Sequence, residues 1–64
     1  MKIEIVQNGR LCDVVADGKV VHSTGRVAAK GYALGLFQKH GGELWNQKRG
    51  GKMVLVRSGA ATHP

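Results

Sequence analysis

Sixty-four residues make a single domain, spanning 1–64, with room for only a thin core, because a chain of this size buries only about 60% of the surface it exposes when unfolded. Ten Lys and Arg against four Asp and Glu leave a formal charge of +6, which favours polyanionic partners. The only cysteine, Cys12, excludes an internal disulfide, and no apolar run approaches the roughly 18 residues that a membrane span needs; together with a start that lacks an apolar leader, this predicts a cytoplasmic protein with no membrane partner.

The first predicted strand is Lys2 to Gln7, where charge alternates with β-branched residues up to Asn8-Gly9, a dipeptide suited to a type I′ hairpin turn. Arg10 to Ala16 resumes the β-prone pattern and meets Asp17-Gly18, a turn of the same kind, after which Lys19 to Ser23 is a third strand. Two such turns predict a three-stranded meander. Ile3 and Ile5 share one face, joined by Leu11 and Val15 or by Cys12 and Val14 according to register.

Ser23 or Thr24 is suited to cap a helix entered near residue 25, since either hydroxyl can accept from a free first-turn N–H. At about 100° per residue, Ala29, Ala33, Leu36 and Phe37 gather on one side, with Tyr32 at its edge, and that side is predicted to cover the sheet. The opposite side carries Val27, Gly31, Leu34, Gly35 and Gln38, where an isolated subunit would be expected to carry charge. Gly31 and Gly35 each disfavour the helix by about 1 kcal/mol relative to alanine, which points to close backbone approach by a partner, unless a chain with ten glycines places two at this spacing by chance or packs them against its own sheet.

Gly41-Gly42 ends the helix, since glycine enters the left-handed conformation without steric cost. Glu43 to Gln47 then reads as a fourth strand and Met53 to Arg57 as a fifth. Between them lies Lys48-Arg49-Gly50-Gly51-Lys52, a basic hairpin tip. Residues 58–64 have no periodicity and read as a frayed tail. The predicted fold is therefore α+β: a small antiparallel sheet, meander plus C-terminal hairpin, covered by one helix in βββαββ order.

The order of hairpin, strand and alanine-rich helix, followed by Gly41-Gly42-Glu43-Leu44 and by Arg49-Gly50-Gly51-Lys52-Met53, resembles a family of small bacterial proteins of unknown function. That family has a GGEL-type strand and an Arg-Asp-Gly-Lys-Ile-type hairpin after the helix. The resemblance covers most of the chain from about Asn8 and implies the ββ(β)αββ layout, without implying a mechanism. This chain lacks the family's tryptophan in the second strand, and Arg26-Val27-Ala28-Ala29 replaces its acidic helix start. The segment Leu36 to Lys52 is also similar to the helix-to-strand part of small mRNA-interferase toxins, but their catalytic histidine falls near Lys52 here, so no catalysis is carried over.

The polar residues form no catalytic set. His22, His40, His63 and Cys12 lack the close pairings of zinc sites, no motif pairs the carboxylates, and Gly50-Gly51-Lys52 lacks the spacing of a phosphate loop. No catalytic residue, metal or cofactor is assigned, and the expectation is a non-enzymatic binding module of bacterial or phage type. Its first candidate surface is Lys48, Arg49 and Lys52 with Arg57 and Trp45, phosphate-seeking cations beside a ring able to stack on a base, or else the largest side chain of the core. The alternative is a protein–protein interface, in a homodimer or with a regulated host protein, on Val27, Gly31 and Leu34.

Overall fold

The computed structural model describes residues 1–61. Strands β1 (Lys2–Asn8), β2 (Leu11–Ala16) and β3 (Lys19–Thr24) precede helix α1 (Arg26–His40), and β4 (Gly42–Gln47) and β5 (Met53–Gly59) follow it, with a short 3₁₀ turn at Arg49–Gly51. The fold is α+β in the expected βββαββ order. β5 runs two residues beyond the predicted Arg57, because Ser58 and Gly59 pair with Glu43 and Gly42, so this part of the predicted tail is strand. Residues 62–64 of that tail lie outside the described residues.

The meander and the C-terminal hairpin are each antiparallel, as their tight turns require. They meet through one parallel pair, β1 with β4, so the five-stranded sheet is mixed, in the order β3-β2-β1-β4-β5. The helix is the cause: α1 carries the chain back along the sheet, so β4 starts from the same end as β3 and β1 and runs alongside them.

The Asp17-Gly18 turn has φ of 51° and 84°, the positive pair of a type I′ turn. At the first turn the loop residues are Gly9 and Arg10, not Asn8 and Gly9, and only Gly9 is positive, the sign pattern of a type II′ turn. In this register the second turn meets the start of β1: the Asp17 N–H donates to the Lys2 carbonyl and the Lys2 N–H to Asp17 Oδ1, both at 2.8 Å. Of the two sets left open by the sequence, Cys12 and Val14 share the face of Ile3 and Ile5.

That face packs against Ala29, Ala33 and Phe37, with Leu44 from β4, and Leu36 and Leu34 lie partly buried beside them. Two alanines at the contact let the helix sit close to the sheet. The helix is not capped by Ser23 or Thr24. Ser23 Oγ donates to Asp13 Oδ1 at 2.6 Å, Thr24 belongs to β3, and Gly25 occupies the cap position without a side-chain hydrogen bond. At the other end the Gly41 N–H donates to the Phe37 carbonyl at 2.7 Å.

Neither Gly31 nor Gly35 packs on the sheet. A Cβ added at either would meet nothing within 4 Å. Alanine at each site should therefore stabilise the isolated domain by about 1 kcal/mol through helix propensity alone, an increase that urea unfolding would register.

Candidate nucleic-acid interface

The C-terminal end of β1, the first turn of α1 and the tip of the β4–β5 hairpin enclose a concavity of about 700 Å³ walled by Gln7, Arg26, Gln47, Lys48 and Arg49. Two glutamines hold it together. The Gln7 N–H donates to Gln47 Oε1 at 2.8 Å, Gln47 Nε2 donates to the Gly51 carbonyl at 3.3 Å, and Arg26 Nη2 donates to Gln7 Oε1 at 2.6 Å. Arg26 is thus fixed by a neutral amide, which sets its geometry while leaving its charge available to a ligand. The tip itself is closed by the Lys48 N–H on the Lys52 carbonyl at 2.6 Å and the Gly51 N–H on the Lys48 carbonyl at 3.0 Å.

Lys48 also lines a second, smaller cleft, of about 240 Å³, between α1 and β4–β5. Here a bulge matters. Trp45 pairs with Leu55 and Leu44 with Arg57, so Val56 is the extra residue, and together with Arg57 it lines this cleft on the helix side. Lys30 and Leu34 of the helix, Leu44 and Asn46 of β4 and Ile5 of β1 complete the wall. The two hollows share Lys48, and between them they are lined by Arg26, Lys30, Lys48, Arg49 and Arg57.

Among the described residues no Asp or Glu lines either hollow. Helix α1 contains no Asp or Glu. Glu4, Asp13 and Glu43 alternate with the buried residues Ile3, Ile5, Cys12, Val14 and Leu44 and so face the uncovered side of the sheet, while Asp17 is in the second turn. Three of the four are also engaged there: Asp13 accepts from Ser23 and Asn8, Asp17 from the Lys2 N–H, and Glu43 from Trp45 Nε1.

The residues expected to form one nucleic-acid surface are therefore divided. Lys48 and Arg49 come together and are joined by Arg57 through the second cleft. Lys52 is exposed beyond the 3₁₀ turn, on neither wall. Trp45 lies on the opposite face, half-buried, with Lys2 Nζ 5.7 Å from its ring centroid, so it neither belongs to the core nor forms a stacking platform with the basic groove. Of the residues expected at a protein interface, Val27 is 86% exposed and Gly31 faces open space, but Leu34 packs against the core. Its direction, about 100° from the centre of the buried stripe, meets the sheet on the β4–β5 flank, just as Tyr32 on the other flank stacks on His22 at 4.5 Å.

Sequence reasoning missed Arg26, Lys30, Gln7, Gln47 and Asn46. The available signal for the first two was a helix with basic residues four apart and no acid. Asn46 left no signal, because an asparagine between Trp45 and Gln47 reads as one more polar strand residue. It is in fact only 5% exposed, and its Oδ1 is enclosed without a hydrogen-bond partner. An unmet buried acceptor costs about 1–3 kcal/mol, so Asn46→Leu should raise the melting temperature by about 5 °C or more, readable by calorimetry.

Among the described residues no three His, Cys, Asp or Glu come together to hold a metal, and no helix is long and apolar enough to cross a membrane. Compared with protein-family models, curated protein sequences and solved structures, the chain matches none.

Proposed function

We propose that the protein is a non-catalytic module that binds nucleic acid along the groove between α1 and the β4–β5 hairpin. The observation that carries this reading is the separation of charge: Arg26, Lys30, Lys48, Arg49 and Arg57 line two hollows that meet at Lys48, and among the described residues no Asp or Glu lines either. A row of cations without counter-charges is matched by a phosphate backbone, whose bound counterions are released on contact. The aliphatic lining of the inner cleft, from Leu34, Leu44 and Val56, favours a single strand over a duplex, since unstacked bases have apolar faces to bury and paired ones do not.

Capture from a cell lysate at low salt, with and without nuclease, tests the reading. The expected partner is lost on nuclease treatment and on raising the salt. A partner that survives both would replace this reading with protein docking.

That alternative draws on the 86% exposure of Val27 and the open space over Gly31, and it no longer includes Leu34. A second copy or a protein partner seated over Gly31 would be held off by any side chain there. Gly31→Ala separates the two: it stabilises a free helix face and weakens association through an occupied one.

A further inference from the structure

From the inner cleft we infer that the groove carries a base-reading pocket: Asn46 hydrogen-bonds the edge of one unstacked nucleobase, adenine above the others, while Lys30, Lys48 and Arg57 hold the flanking phosphates. The inference rests on the nucleic-acid reading above for its phosphate contacts. It goes further in assigning sequence preference to a single buried side chain.

Asn46 is the only buried polar residue among the described residues, and its Oδ1 has no hydrogen-bond partner. Burial without a partner destabilises the fold, and an apolar residue would serve the packing around Leu44 and Ile5 better. A polar group retained at such a place is characteristic of a site in which function opposes stability. What the amide lacks is a donor for its oxygen, which has almost no open surface, so a base meets it only once the amide turns into the cleft. Asparagine offers that acceptor beside an N–H donor, the arrangement that pairs bidentately with the amino group and ring nitrogen of adenine.

The surroundings fit a base. The cleft, at about 240 Å³, is smaller than the roughly 300–1,000 Å³ pockets that hold drug-sized ligands, so it suits one ring system and not a whole dinucleotide. Leu34 and Val56 give it apolar sides, and Val56 is placed there by the β5 bulge. Around this apolar interior Lys30, Lys48 and Arg57 supply charge, and Lys48 continues into the wider concavity with Arg26 and Arg49, where the strand would leave. An amide inside and cations outside match the two parts of a nucleotide, base and phosphate.

The test compares three short strands of equal phosphate count, oligo-dA, oligo-dT and an abasic strand, with adenosine 5′-monophosphate as a fourth probe, on wild type, Asn46→Leu and Asn46→Ala. Asn46→Leu fills the cleft and Asn46→Ala leaves it open, so a loss common to both belongs to the amide, and thermal melting confirms that each is folded. Wild type should bind oligo-dA at least about five-fold more tightly than oligo-dT or the abasic strand, with both variants levelling the three. Equal affinity for all three strands in wild type overturns the pocket and leaves the groove standing, as does a dA preference that survives in both variants. Binding of the mononucleotide that needs Asn46, with no binding of any strand, keeps the pocket and overturns the nucleic-acid reading. Failure to bind any of the four probes overturns both.

Discussion

Gly42→Ala is expected to remove most of the protein's stability. A Cβ at this position would lie 1.9 Å from the Met1 carbonyl oxygen, and its φ of 102° is one that side-chain-bearing residues rarely adopt. The obstacle is backbone and cannot rotate aside. Relief requires β4 to draw away from β1, breaking the 2.9 Å bond from the Glu43 N–H to Met1 O and loosening the one parallel pair that joins meander to hairpin. A domain of this length has only about 3–10 kcal/mol of stability in all, and the loss expected here is about 4 kcal/mol or more. Urea unfolding followed by circular dichroism measures it. Stability unchanged to within about 1 kcal/mol would mean that the parallel junction is not built as described.

Reversing Arg26, Lys48 and Arg49 to glutamate together should weaken single-strand binding by about 100-fold, with little change in stability, because exposed charges contribute little to folding. These residues converge on one concavity, so the substitutions turn a cationic wall into an anionic one without touching the core. Lys19→Glu, a charge reversal on the far edge strand β3, is the control and should have at most a small effect. Equal losses from the control and the triple variant would show that net charge, not the groove, attracts the polyanion.

How much of this was legible in the sequence depended on whether the signal was local. Asp17-Gly18, Gly41-Gly42 and the Ala29, Ala33, Phe37 stripe act over a few residues of chain, and the turn, the helix stop and the buried face read from them are all found, although Gly41 stops the helix at φ 70° and ψ −166°, outside the left-handed helical conformation, and Gly42 already belongs to β4. The joining of β1 to β4 depends on contacts some forty residues apart in the chain, which no local pattern encodes. The same holds for the site. Lys48 and Arg49 are adjacent in sequence and were legible as a basic tip, but Arg26 reaches them only through Gln7 and Gln47, across the β1–β4 junction. Trp45 was misassigned for a related reason: strand alternation reports that Leu44 and Trp45 face opposite sides, but not which side the helix covers. Once Leu44 is seen beneath the helix, Trp45 must stand on the open face with Glu43 and Lys2.

The salt dependence of single-strand binding by the wild-type protein tests the central claim most directly. Five cations meeting five phosphates predict a slope of about −3.5 in log affinity against log salt, or about a hundred-fold loss between 50 and 200 mM, and removing three of them should flatten the slope by about 2. A measurable affinity that stays constant across that range, or a slope unchanged in the triple variant, would contradict the proposal that this groove binds a phosphate backbone.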